Sequence, residues 1–122
     1  MLSKPDRIRL RHMLDASREA IGYAEGRSRG DLVTDTMLAR ALVKCIEIVG
    51  EAASRASEET RKRAAAIPWA QINGMRNRLI HAYFDINPDE VWGTVVNDLP
   101  VIARALEAIL DTVEVNDTMQ EE

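Results

Sequence analysis

Residues 38–53 read LARALVKCIEIVGEAA. Apolar and small side chains recur in this segment at intervals of three and four residues, which is the spacing of one face of an α-helix. They form a wide stripe of Leu38, Ala41, Leu42, Cys45, Ile48, Val49, Ala52 and Ala53. A stripe of this width predicts a central, well-buried helix, which Thr34 or Asp35 can cap. Because Cys45 lies on the stripe, we interpret it as a core residue and not as a reactive thiol.

The segments on either side of this helix also have helical periodicity and good capping residues. The predicted helices are Ser3 to about Glu25, Ser57 to Ala66, Trp69 onward, and Asn87 to about Glu114. Pro100 removes a backbone donor inside the last helix and is expected to kink it. No segment has the alternating pattern of a strand. We therefore predict one all-α domain at residues 1–115, an antiparallel four-helix bundle plus one short helix, with an acidic, flexible tail at 116–122.

The bulk properties fit a globular protein of one domain. The chain has 122 residues, of which 46% are hydrophobic and 30% are charged. Its single cysteine cannot form an intramolecular disulfide, and the first residues lack the apolar run of a signal peptide. No segment approaches the roughly 20 apolar residues that a membrane-spanning helix needs. These features predict a cytoplasmic protein.

The net charge of −4 is unevenly distributed. Residues 55–84 carry six basic and two acidic side chains, whereas residues 85–122 carry one basic and ten acidic ones. Two interpretations stay open. The basic segment can attract phosphate in spite of the net charge, or the helices of the bundle can pair their charges with one another.

A second informative segment, residues 76–83, reads RNRLIHAY. On a helical wheel Ile72, Met75, Leu79 and Tyr83 share the face that is expected to be buried, with Arg76 at its edge. His81 is rotated by about 140° from Arg76 and points away from the apolar face. A site built from Arg76 and His81 then needs either a loosened helix or a second subunit that completes it across a symmetry axis. We favour the second arrangement as a hypothesis.

An arginine and a histidine together suit the cleavage of a phosphodiester. The histidine can take a proton from a 2′-hydroxyl or return one to the leaving oxygen, and the arginine can stabilise the developing negative charge. We find no set of metal ligands, since His12 is isolated and Asp85, Asp89 and Glu90 are explained as turn and cap residues. The opposing interpretation is a plain structural bundle.

Two further questions stay open at this point. The carboxylate of Glu51, flanked by small residues, can be a structural hydrogen-bond acceptor or part of a site. No aromatic platform or ordered basic stripe indicates which RNA sequence would be preferred.

The spacing Arg76-(four residues)-His81-Ala82-Tyr83 resembles the signature of HEPN domains, and specifically of the HepT family of toxin ribonucleases. Three other segments are similar to that family: Ile48–Ala52, Ile67–Trp69, and Val91-Trp92 with Asp98–Pro100. The similarity extends over residues 5–114. The Arg–His spacing alone is a loose pattern, but the four segments together are specific.

The resemblance implies a dimeric helical bundle that cleaves RNA without a metal or another cofactor. Arg76 and His81 would be the catalytic pair, with Asn77 helping to shape the site. Glu51 is our own candidate for a further site-shaping residue. Many members are encoded with a nucleotidyltransferase antitoxin, MntA, which can transfer AMP to the tyrosine of the motif, here Tyr83. An alternative within the same resemblance is a non-catalytic HEPN module that docks a nucleotidyltransferase.

Overall fold

The computed structural model describes the backbone of residues 2–81 and 86–121, and the side chains of residues 2–78 and 86–112. Every regular element in these ranges is helical, so the predicted all-α fold is confirmed. The elements are α1 (Lys4–Ala24), α2 (Asp31–Thr34), α3 (Thr36–Arg55), α4 (Glu58–Arg63), α5 (Trp69–His81), α6 (Pro88–Gly93), a π-helical turn (Thr94–Asp98) and α7 (Leu99–Glu121). None of the described helices is long and apolar enough to cross a membrane.

The capping residues set the helix starts, as predicted. A side-chain oxygen at each cap accepts a hydrogen bond from a backbone N–H in the first turn, which satisfies donors that the helix itself cannot. The caps of α1, α3, α4 and α6 are Ser3, Asp35, Ser57 and Asn87. Of the two candidates for α3, Asp35 is the cap, and its carboxylate accepts from the Leu38 N–H at 3.1 Å.

Several boundaries differ from the predicted ones. α4 ends at Arg63, not at Ala66, and α7 continues to Glu121, beyond the predicted end near Glu114. Before Pro100, the Leu99 N–H bonds to the Thr94 carbonyl five residues back, which widens the helix into a π turn. The hydrogen-bond pattern is therefore irregular just before Pro100, and the kink itself stays a prediction. The flexibility of residues 116–122 stays a prediction.

α3 lies at the centre of the bundle. It packs against both α1 and α5, and α1 also packs against α7. Leu42, Ile46 and Val49 of α3 are fully buried, while Ile48 is only partly buried. The stripe as predicted missed Ile46, although Ile46 follows Leu42 by four residues and precedes Val49 by three.

A buried carboxylate joins the start of α1 to the start of α4. Asp6 is 2% exposed and accepts hydrogen bonds from the hydroxyls of Ser57 at 2.6 Å and Thr60 at 2.5 Å. Arg9 donates to its other oxygen at 2.7 Å. Burial by itself would raise the pKa of Asp6, but these hydrogen bonds outweigh it and hold the pKa well below its usual value.

Candidate active site

Arg76 lies where α5 crosses α3. At this crossing Gly50 is buried beneath the arginine stem, so that a Cβ added to Gly50 would lie 2.9 Å from the Arg76 Cβ. Real Cβ atoms do not approach that closely. The absence of a side chain at position 50 therefore lets the two helices come together and lays the stem of Arg76 across α3.

A carboxylate holds the guanidinium of Arg76 at this crossing. Glu51 accepts from Arg76 Nη2 at 3.2 Å, and its other oxygen pairs with Arg55 Nη2 at 3.0 Å. The Arg76 side chain is 34% exposed, so part of its surface stays open to solvent. The structure thus brings together Arg76 and Glu51, which are 25 positions apart in the chain.

Arg76 and Glu51 lie on the wall of a groove between α1 and α3, with a volume of about 820 Å³. Most of its lining surface is apolar and comes from both helices, with Ile8 and Ile48 among the contributing residues. The other lining residues include five basic side chains against two acidic ones: Lys4, Arg9, Lys44, Arg55 and Arg76 against Glu47 and Glu51. A chain of net charge −4 therefore presents a locally positive groove beside Arg76.

His12, which looks isolated in the sequence, also lines this groove. The sequence does contain one indication that His12 lies at a groove. Ile8 is an apolar residue one turn before His12, on an otherwise polar face of α1. Ile8 is 46% exposed, which marks the open face that α1 turns towards the groove. The basic residues Arg9 and Lys44 were missed for the same reason, because only the packing of α1 on α3 brings them together.

The remaining predicted site residues lie in or next to α5. Ile72 and Met75 are buried, which confirms the predicted core face for these two residues, and Asn77 is exposed. His81 is the last residue of α5, and its side chain lies outside the described residues, as does Tyr83 altogether. Their roles in the site stay predictions.

Cys45 lies in the core, as predicted. It is 5% exposed, and burial, helped by the charge of Glu19, raises the pKa of its thiol to about 11. The thiol is protonated at neutral pH and is a poor nucleophile. No group of three or more His, Cys, Asp or Glu side chains that could hold a metal ion occurs among residues 2–78 and 86–112.

The chain matches the family model described as "Ribonuclease HepT-like" over residues 13–109. The chain belongs to the HepT-like ribonuclease family. The matched range of this HepT-like chain includes Gly50, Glu51 and Arg76, and so the whole crossing of α5 over α3.

Named relatives agree with the family. A protein of Caldanaerobacter subterraneus subsp. tengcongensis named "Putative RNase" is 36% identical over 107 residues, which cover 88% of this chain and 96% of that protein. A "Probable ribonuclease HepT" of Thermococcus cleftensis is 32% identical over 79 residues, 65% of this chain and 72% of that one. No solved structure matches the HepT-like chain.

Proposed function

We propose that this HepT-like protein is a toxin endoribonuclease that acts as a dimer, without a metal, through Arg76 and His81. The observation that carries the proposal is the guanidinium of Arg76, held by Glu51 across Gly50 on the wall of a positive groove. Phosphate contacts dominate the affinity of proteins for nucleic acids, and a cluster of basic side chains in a groove is suited to make them.

The proposed chemistry is a transfer within the RNA strand. His81 takes the proton of a 2′-hydroxyl, whose oxygen attacks the adjacent phosphorus while the bond to the 5′-oxygen of the next nucleotide breaks. The leaving oxygen takes a proton from the protonated His81 of the second subunit, and a 2′,3′-cyclic phosphate remains. Arg76 stabilises the added negative charge on the phosphate oxygens, for which its planar fork of donors is suited.

We further propose that a nucleotidyltransferase antitoxin silences the enzyme by transferring AMP to Tyr83. Two observations support this: the segment from Arg76 through Tyr83 resembles the family motif, and the chain belongs to the family. The transferred phosphates would place negative charge and bulk two residues from His81. That change opposes RNA binding through both the local potential and steric hindrance.

The experiment that tests the nuclease is cleavage of labelled cellular RNA in EDTA by protein with unmodified Tyr83. Wild type should cleave, whereas Arg76→Ala and His81→Ala should not. Arg78→Ala is the matched control, because Arg78 lies on the same helix and pairs with Asp98, away from Glu51. Full activity of either site variant would remove that residue from the mechanism.

Two other outcomes separate the parts of the proposal. If folded wild type does not cleave RNA, the alternative of a module that docks a nucleotidyltransferase takes precedence. Tyr83→Phe should still cleave RNA and inhibit growth, but should escape the antitoxin. Rescue of this variant by the antitoxin at the wild-type level would place the modification elsewhere.

A further inference from the structure

A second, smaller cavity lies between α3, α4 and α5, with a volume of about 230 Å³. We call it the α5 pocket; its lining residues are Gly50, Ala53, Ser54, Arg61, Trp69, Ala70 and Asn73. Gly50 lines this pocket, whereas Arg76, which packs on Gly50, lines the groove. The contact between Gly50 and Arg76 therefore lies between the two cavities.

The walls of the α5 pocket are held in place by hydrogen bonds. The indole N–H of Trp69 donates to the Ala64 carbonyl at 3.1 Å, which fixes the plane of a half-buried ring. Arg61 donates to the carbonyl of Ser54 at 3.3 Å, which keeps its guanidinium at the end of α3. Asn73 is exposed on α5, one turn from Trp69. An aromatic ring, an amide and a guanidinium thus border one small space.

We propose that the α5 pocket binds one unstacked base of the RNA, next to the phosphate that Arg76 contacts; this rests on the proposed nuclease function. Proteins recognise single-stranded RNA by stacking splayed bases on aromatic rings or guanidinium planes and by hydrogen bonds to the base edges. Trp69 and Arg61 supply such surfaces. The amide of Asn73 offers both donors and an acceptor, so it can distinguish one base edge from another.

The dimensions of the site suit a single base. The pocket lies just below the range of about 300–1,000 Å³ that is typical for drug-sized ligands, so it suits one planar heterocycle and not a run of nucleotides. Along α5, Asn73 precedes Arg76 by about 4.5 Å and Trp69 precedes it by about 10 Å. A base whose own or neighbouring phosphate lies at Arg76 is within reach of the pocket.

The test is the sequence preference of cleavage in a pool of RNA with randomised positions, read from the ends of the products. Wild type should show one favoured base at a fixed position relative to the cut. Asn73→Ala should lower that preference about tenfold, the discrimination expected when hydrogen bonds to one base edge are lost. Trp69→Phe, which keeps an aromatic ring, should retain more of the preference than Trp69→Leu.

Gln71→Ala is the matched control, because Gln71 is an amide on the same helix that bonds Asp98 and does not line the pocket. It should leave the preference unchanged. If wild type cleaves at random, or if Asn73→Ala keeps the full preference, the pocket does not read a base and the inference is overturned. If wild type does not cleave at all, the nuclease function fails instead.

Discussion

The carboxylate of Glu51 serves two arginines at once, Arg76 on α5 and Arg55 on its own helix. Half of the Glu51 side chain is exposed, and exposed ion pairs add little to stability. We therefore interpret Glu51 as a positioning residue, which directs the Arg76 guanidinium and also competes with phosphate for it.

Glu51→Gln should change turnover and binding in opposite directions. Loss of the carboxylate should lower kcat about tenfold, because Arg76 is no longer directed, a change of about 1.4 kcal/mol in the barrier. It should also lower KM, because a negative group that competes with phosphate is gone. Steady-state kinetics on one RNA substrate measures both. Glu58→Gln, on α4 outside the groove, is the control, and an unchanged kcat in Glu51→Gln would show that Arg76 needs no such support.

At the scale of single residues, the sequence predicts which residues belong to the site better than it predicts which of them contact each other. Arg76 and Glu51 were both selected as site residues, but their pairing depends on how α5 crosses α3, which periodicity does not determine. His12 was set aside because no other reactive residue is near it in the sequence. Only the packing of α1 against α3 brings it to the groove that Arg76 also lines.

Among the elements, the crossing of α5 over α3 rests on Gly50. Alanine favours a helix over glycine by about 1 kcal/mol, so a helical glycine in open space is a site for stabilisation. At Gly50 the new methyl group would meet the Cβ of Arg76, which cannot move unless α5 moves with it. The gain in helix propensity stabilises the fold and the steric clash destabilises it, and the clash is the larger effect.

Gly50→Ala should therefore destabilise the fold by roughly 1–2 kcal/mol and lower RNA cleavage, because α5 and Arg76 are displaced. Gly22→Ala is the matched control: Gly22 is also in a helix, and nothing lies within 4 Å of a Cβ added there. It should stabilise the fold by about 0.5–1 kcal/mol. Urea denaturation measures both, and equal midpoint shifts in the two variants would rule out the close contact.

The link between α1 and α4 through Asp6 makes stability depend on pH. Its folded-state pKa is depressed, so the stabilisation is complete only about one pH unit or more above the unfolded value of about 3.9. It is lost progressively as the pH falls from about 5 towards the folded-state pKa, because the unfolded chain then binds the proton more readily.

Asp6→Asn should cost roughly 2 kcal/mol at neutral pH, since Ser57 and Thr60 lose a charged acceptor in a buried place. It should also flatten the fall in stability below pH 5. Thermal unfolding at a series of pH values measures this. Asp15→Asn on the exposed side of α1 should change stability by less than about 0.5 kcal/mol, and a similar loss in both variants would contradict the assigned role of Asp6.

α1 and α3 were predicted from a capping residue and several turns of apolar periodicity, whereas the short α4 was predicted from its cap at Ser57. α2 was missed because a single turn has no periodicity. In the structure this segment is held by the Ser28 N–H, which donates to the Asp31 carboxylate at 2.8 Å. The π turn was also missed. Pro100 indicated a disturbance of the helix, but the hydrogen bond that replaces the regular ladder, from Leu99 to Thr94, depends on the local backbone and not on residue type.

Across the whole molecule, charges that are separated in the sequence are partly paired between helices. The groove between α1 and α3 is lined by five basic and two acidic side chains, while residues 85–122 carry one basic and ten acidic ones. Pairing of charges between helices is therefore observed, whereas the attraction of phosphate stays a prediction. Arg18 of α1 pairs with Glu107 of α7 at 3.0 Å, whereas the basic residues of the groove outnumber the acidic residues around them.

The proposed dimer makes a quantitative prediction for mixed subunits. If one site forms on the symmetry axis and needs His81 from both subunits, a wild-type chain is inactive when its partner carries His81→Ala. In an equal mixture with free exchange, about half of the wild-type chains are then in inactive dimers, so activity per wild-type chain falls about twofold.

The measurement is the rate of RNA cleavage after wild type and an excess of His81→Ala are mixed and allowed to exchange. A tenfold excess should lower the activity per wild-type chain by about tenfold, because nearly every wild-type chain is paired with a variant. Bovine serum albumin at the same concentration controls for dilution and crowding. If each chain contains a complete site, the activity per wild-type chain stays constant at every ratio, which would rule out a site shared between two subunits.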